Sequence, residues 1–321
     1  MAAFSEKTTA ASDGTSLYYR DYAPQTPVAD MVPVVCLHGL TRSSTDFESL
    51  AARLSQTHRV ICPDLRGRGK SGYAADPMTY VPIQYVKDLK ILLADADLSR
   101  FAIVGTSLGG ILAMTMAGTM RHRIAGVVMN DIGPEIDPAG LVRINGYVGV
   151  GGPVDSWSAA ADAVRHINED ALPHYTEEQW LALAKRHYVE RGGKIMPNYD
   201  ENIRVPFEAS GGTPAPNMWP FFEALQGLPL LLIRGETSDI LSERTADEMI
   251  RRHGSASYLE VPGVGHAPML DELGVEDRIS TFLRDIPGRE SMLGWLKSRF
   301  KSWKELGRIT KTLKSQGGAT A

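Results

Sequence analysis

Three short stretches of this sequence carry residues that could do chemistry together. The first is Gly105-Thr-Ser107-Leu-Gly109, which follows the apolar run Phe101-Ala-Ile-Val104 and precedes a helix-forming stretch from Leu108 to Met120. A free serine hydroxyl is a poor nucleophile and needs both a base and an exposed position. A sharp strand-to-helix turn supplies the position. It forces strained backbone angles on the central residue, so glycines two positions away on each side relieve crowding. The same turn places the N–H of Leu108 at a helix N-terminus, where it can donate to a developing oxyanion.

The second stretch is Val34-Val-Cys-Leu-His38-Gly39-Leu40. An oxyanion hole needs another N–H from the loop after an earlier strand, and Leu40 is the candidate donor, with Gly39 permitting the tight path. His38 reads as a residue that holds this loop by hydrogen bonds.

The third is Pro262-Gly-Val-Gly-His266-Ala-Pro, a Gly-rich loop after a late apolar run. His266 is the candidate base. A Ser–His pair needs a carboxylate to orient the imidazole. The expected order along the chain is nucleophile, acid, base. That order points to Asp239, in the loop Arg234-Gly-Glu-Thr-Ser-Asp239-Ile. Glu236 and Asp131, the latter following the run Ile124 to Met129, stay open as alternatives. The expected chemistry is attack of Ser107 on a carbonyl carbon, with Asp239 orienting His266, an acyl-enzyme intermediate, and no cofactor or metal.

The elements that must hold these residues follow from the pattern of apolar runs. Thr15 to Tyr22 reads as an early antiparallel strand. Val32–Leu37, Arg59–Cys62, Phe101–Val104 and Ile124–Met129 are short continuous runs, suited to strands buried on both faces of a parallel sheet. Helical stretches alternate with them at about 44–56, 82–94 and 108–120, giving βαβ units. From Pro134 to Gln226 no buried strand is evident. Helical segments at 157–168 and 176–188, the aromatics Trp157, Trp180, Trp219, Phe221 and Phe222, and Gly-Gly pairs suggest a helical insertion with hinge-like turns. Alternation then resumes with strands at 229–233 and 257–261 and helices at 242–252 and 267–283. The expected layout is a core of residues 1–134 and 227–286, a helical cap over 135–226, and an extension over 287–321. Asp64-Leu-Arg-Gly-Arg-Gly-Lys-Ser-Gly72 lacks phosphate-loop spacing and reads as an Asp- and Arg-braced turn near the site.

Bulk properties narrow the class. Hydrophobic residues make up 43% of 321 and charged residues 22%, ordinary for a globular protein. A net charge of −4 argues against nucleic acid as a partner. The two cysteines, Cys36 and Cys62, form no disulfide framework and fit a reducing compartment. The N-terminus lacks a signal-peptide pattern, so the expected location is cytoplasmic. Residues 287–321 carry eight Lys or Arg against two Glu. Leu293, Leu296, Phe300, Trp303, Leu306, Ile309 and Leu313 recur at helical spacing, describing a basic amphipathic helix. Such a helix could dock on the body or a second subunit, or lie on an anionic membrane through residues 288–314.

Taken together, His38-Gly-Leu, Asp64-Leu-Arg-Gly-Arg-Gly-Lys-Ser, Gly105-Thr-Ser-Leu-Gly-Gly, Gly235-Glu-Thr-Ser-Asp and Gly263-Val-Gly-His resemble the α/β-hydrolase superfamily over about residues 13–285. The resemblance implies an α/β fold with a mostly parallel central sheet flanked by helices and a helical cap. It also implies a serine esterase or lactonase acting on a small-molecule ester. Members with an Asp nucleophile, epoxide hydrolases and haloalkane dehalogenases, are disfavoured by Ser107. Carbon–carbon hydrolases of ring-fission products are an alternative, although their expected Trp after the catalytic His is Ala267 here. A ligand sensor that retains the triad is the non-enzyme alternative. The aromatic content of the insertion suggests a largely apolar pocket, with Trp219, Phe222 and Ile240 as candidate substrate-binding residues.

Overall fold

The computed structural model describes residues 2–28, 30–209 and 216–286; the basic extension of the sequence analysis lies outside them. Strands β1 (Ser5–Ala10) and β2 (Ser16–Tyr22) form an antiparallel pair. Then come β3 (Val34–Leu37), α1 (Glu48–Leu54), β4 (Val60–Pro63), α2 (Pro82–Asp95), β5 (Phe101–Thr106), α3 (Leu108–Met120) and β6 (Ile124–Asn130). Between β6 and the next sheet strand lie α4 (Pro138–Tyr147), α5 (Trp157–Asn168), α6 (Glu177–His187), β7 (Tyr188–Arg191), β8 (Lys194–Pro197), α7 (Val205–Ala209) and α8 (Trp219–Glu223). The chain ends its described part with β9 (Leu230–Gly235), α9 (Glu243–His253), β10 (Ser257–Val261) and α10 (Val275–Arg284).

The central sheet has the order β1-β2-β4-β3-β5-β6-β9-β10. Only β1–β2 and β2–β4 pair antiparallel; every neighbour pair from β4 to β10 is parallel. The inner strands are apolar at successive positions because both faces are covered. On β5, Phe101 and Ile103 enter one core while Ala102 and Val104 enter the other, and on β3 Val35 and Leu37 oppose Val34 and Cys36 in the same way. This alternation within a continuous apolar run is what burial on both faces demands. The chain winds outward from β3 to β4, then returns to β5 on the other side. The crevice at the carboxyl ends of β3 and β5 is therefore a topological switch point, where open sheets of this type hold ligands.

Besides the unforeseen edge strand β1, a hairpin and one helix depart from the sequence reading. The hairpin β7–β8 within the insertion is only partly buried and turns at Gly192 and Gly193, both at positive φ, the conformation that a two-residue type I′ hairpin needs. The helix expected from Ala267 begins only at Val275, after Gly274 at φ 82°. Pro268 disfavours a helix through Ala267, and Glu272 Oε1 takes the Met269 N–H, leaving 267–274 as a loop. The insertion has its own apolar cluster, in which Ala160, Val164, Trp180 and Leu183 join α5 to α6. Among the described residues no helix is long and apolar enough to cross a membrane.

Candidate active site

Ser107 sits between β5 and α3 at φ 51°, ψ −113°, a left-handed conformation that costs a non-glycine residue energy and that its surroundings must enforce. The flanking glycines show how. A Cβ on Gly105 would stand 2.5 Å from the Gly109 carbonyl carbon, and one on Gly109 would overlap the Leu37 carbonyl oxygen. The Gly-x-Ser-x-Gly spacing thus reflects close passage of β5, α3 and β3 at one point. The Ser107 N–H donates to the Asn130 carbonyl at 3.0 Å. The Asn130 side chain donates to Thr106 Oγ1 and to the Pro268 carbonyl, tying the turn to the loop that carries His266.

His266 lies in the loop after β10. Its Nε2 is 2.9 Å from Ser107 Oγ, which donates to it, and its Nδ1–H donates to Asp131 Oδ2 at 2.8 Å. Asp131 follows β6 directly, is fully buried and has φ 55°. Its Oδ1 accepts the Gly235 N–H at 2.9 Å and its Oδ2 also accepts from Ser238 Oγ at 2.7 Å.

The carboxylate facing His266 is therefore Asp131, and the reading of Asp239 as the acid is corrected. Asp239 is engaged elsewhere: both its oxygens take a bidentate pair from Arg143 of α4, at 2.6 and 2.8 Å. Burial alone would raise its pKa, but Arg143 outweighs burial and the pKa lies below the usual carboxylate value. Glu236 has a third task, accepting the Gly263 N–H at 2.7 Å and holding the turn before His266.

The loop after β3 reaches the same crevice. His38 is fully buried, its Nδ1–H donating to the Gly39 carbonyl and its Nε2 accepting the Leu65 N–H. That pattern requires the neutral ring, and burial lowers its pKa accordingly. Arg68 Nε donates to the Leu40 carbonyl at 2.8 Å, while Asp64 takes the N–H groups of Ser44 and Lys70. The Asp64–Gly72 turn thus braces the loop from behind. Among the described residues, neither the Leu40 nor the Leu108 N–H meets a backbone acceptor outside the helices and strands.

A cavity of about 610 Å³, counted with its open mouth, is lined by Gly39, Leu40, Arg42, Ser107 and His266 from the core. Ile144, Tyr147 and Asn168 of the insertion and Ala267 to Leu270 complete the wall. Trp219, Phe222 and Ile240, expected to bind substrate, are not part of it. Phe222 and Ile240 are fully buried in the main core. Trp219 packs edge-on against Phe222, donates Nε1–H to Glu135 and carries the Arg252 guanidinium on its face. The aromatic content of the insertion was legible in the sequence; which surface those side chains cover was not. Ile144 and Tyr147 carried no separate signal in sequence, being apolar or aromatic positions on a helix whose facing element is set only by tertiary packing.

A protein-family model described as "Alpha/beta hydrolase family" matches residues 34–278. A curated relative, 3-hydroxybutyrate-oligomer hydrolase of Cupriavidus necator, is 36% identical over 245 residues, covering 73% of this chain and 82% of that protein. Esterase YbfF of Escherichia coli is 25% identical over 247 residues, 73% of this chain and 85% of that one. Among solved structures, an alpha/beta hydrolase from Novosphingobium aromaticivorans is 47% identical with a TM-score of 0.82, covering 88% of this chain and 99% of that one.

Proposed function

This chain belongs to the alpha/beta hydrolase family, and from that premise we propose that it is a serine hydrolase that cleaves carboxylic esters of small to medium size through an acyl-enzyme. One observation carries the reading: His266 bridges Ser107 Oγ and the buried carboxylate of Asp131 in a single file of hydrogen bonds. In this mechanism Asp131 holds the imidazole in the tautomer whose Nε2 accepts the Ser107 proton. The Ser107 oxygen attacks the ester carbonyl, and the N–H groups of Leu40 and Leu108 receive the developing oxyanion. His266 passes the proton to the leaving alkoxide. A water activated by His266 then releases the acid and restores Ser107.

The insertion acts as a cap, since Ile144, Tyr147 and Asn168 wall the cavity above Ser107. The relative named for 3-hydroxybutyrate oligomers favours an ester of a short hydroxyacid as the substrate class, with lactones as close analogues.

The test is a panel of p-nitrophenyl esters graded by acyl length, run with the wild type and Ser107→Ala. A fluorophosphonate probe should label the wild type at Ser107 with a matching mass increase. Ester turnover retained by a folded Ser107→Ala protein would overturn the assignment. Tight ester binding with negligible wild-type turnover would move the reading to a ligand sensor, and cleavage of dienone ring-fission products in preference to esters would move it to a carbon–carbon hydrolase.

A further inference from the structure

Arg42 belongs to the loop after β3 and is not used by the mechanism above. A methyl group placed on Gly39 would lie 3.3 Å from Arg42 Cγ and 3.8 Å from Ser107 Cβ, so the arginine stem runs beside the nucleophile. Arg42 lies in the wall shared by the Ser107 cavity and a second one of about 480 Å³, likewise counted with its open mouth, and Tyr147 and Asn168 line both. Of the five N–H donors of a guanidinium, one points to His187 and another to Asn168 Oδ1 at 3.3 Å, and both of those acceptors are neutral. Asn168 is held in that orientation because its Nδ2 donates to the Val164 carbonyl. Asp46 forms an ion pair with Arg42 at 3.8 Å from Nη1, close enough to share charge but too far to take a hydrogen bond, so the remaining N–H donors stay unused by it. The Tyr147 hydroxyl, on the same wall, makes no hydrogen bond among the described residues. A mostly buried planar cation with donors to spare, in the wall of the same cavity as the nucleophile, is a built receptor for a carboxylate.

We propose that Arg42, with Tyr147 beside it, binds a free carboxylate on the leaving alcohol of the substrate. The inference rests on the ester-hydrolase reading and narrows it to hydroxyacid oligoesters cut next to their carboxylate end. In such a molecule the short carbon chain of one hydroxyacid separates the scissile ester from the carboxylate, and Ser107 and Arg42 line one cavity that would hold both ends. The bond from Ser107 Oγ to the acyl carbon forms as the acyl carbon–alcohol oxygen bond breaks. His266 gives the departing oxygen its proton, and the product leaving Arg42 is the free hydroxyacid. Water then supplies the hydroxyl that completes the second acid.

The experiment compares the linear dimer of 3-hydroxybutyric acid with its methyl ester, which lacks the charge but keeps the scissile bond. For the wild type we expect kcat/KM for the free acid to exceed that for the methyl ester by roughly 10- to 100-fold, the range of a charge-assisted hydrogen bond. Arg42→Met should bring the ratio to about one, chiefly through KM for the acid, and Arg42→Lys should keep part of it. Equal cleavage of the two substrates by the wild type overturns the carboxylate subsite while leaving the ester reading intact. So does an equal fall for both substrates in Arg42→Met and Arg42→Lys, which would make Arg42 a brace for the loop. If the wild type cleaves neither dimer nor any p-nitrophenyl ester, the ester reading itself fails and this inference with it. The wild-type ratio decides even if Arg42→Met does not fold.

Discussion

Asp131 Oδ2 receives two donors at once, His266 Nδ1–H at 2.8 Å and Ser238 Oγ–H at 2.7 Å. With Gly235 N–H on Oδ1, the buried carboxylate is supplied with hydrogen bonds on both oxygens, so it cannot rotate away from the imidazole. Asp131→Asn tests the consequence. The amide keeps the shape but offers an N–H where His266 needs an acceptor, favouring the wrong tautomer. We expect kcat on a p-nitrophenyl ester to fall by about 10³ to 10⁴. Asp239→Asn, whose partner is Arg143, should keep kcat within about tenfold of wild type. A large loss in Asp239→Asn with little in Asp131→Asn would reverse the assignment.

Ser238 is a positioning residue rather than a reacting one. Its hydroxyl donates to Asp131 and accepts the N–H groups of Ile240 and Leu241 at 3.2 and 3.0 Å, so it locks the loop after β9 onto the acid. Ser238→Ala should lower kcat by about tenfold with little change in KM, the loss of one hydrogen bond to a charged group. A variant that loses stability while keeping kcat would reduce Ser238 to a structural role, and Ser238→Thr should restore kcat.

How much of this site could be read from the chain depended on whether the signal was local. The nucleophile turn was legible because Gly105 and Gly109 mark close backbone passage in sequence, and His266 because its Gly-rich loop follows an apolar strand. The choice between Asp131 and Asp239 was not, since both follow adjacent parallel strands, β6 and β9. Only the side-chain directions, fixed by φ 55° at Asp131 and by the Arg143 pair at Asp239, separate them. β1 escaped notice because it is an exposed edge strand without an apolar face. The parallel strands were visible for the opposite reason: burial on both faces leaves runs such as Phe101–Val104 with no polar residue to blur them.

Gly109 supplies a stability test of the turn. Its Cα faces the Leu37 carbonyl so closely that a methyl group there would overlap backbone atoms of β3, which cannot swing aside as a side chain can. Gly109→Ala should destabilise the protein by about 2 kcal/mol or more in denaturant unfolding. Gly146→Ala, at a position with open space around it, is the control and should be neutral or slightly stabilising. Equal stability of Gly109→Ala and wild type would mean that the three elements do not meet as closely as described.

His187 predicts how stability responds to acid. It lies mostly buried at the end of α6 between Arg42 and Asp46. Burial first, and then the charge of Arg42, bring its pKa down to about 4, with Asp46 acting in the opposite direction. An unfolded histidine titrates near 6.5, so between those values the unfolded chain binds a proton that the folded one refuses. Stability from this group is complete above about pH 6.5 and falls as the pH drops toward 4. Between pH 7 and pH 5 the loss from His187 should be about 2 kcal/mol. Other buried histidines, His38 and His58, are shifted the same way, so the quantity to measure is a difference. Denaturant unfolding of wild type and His187→Gln at the two pH values should show the variant losing about 2 kcal/mol less. Parallel losses in the two proteins would mean that His187 accepts a proton in the folded state as readily as in the unfolded chain, and its burial between Arg42 and Asp46 would have to be revised.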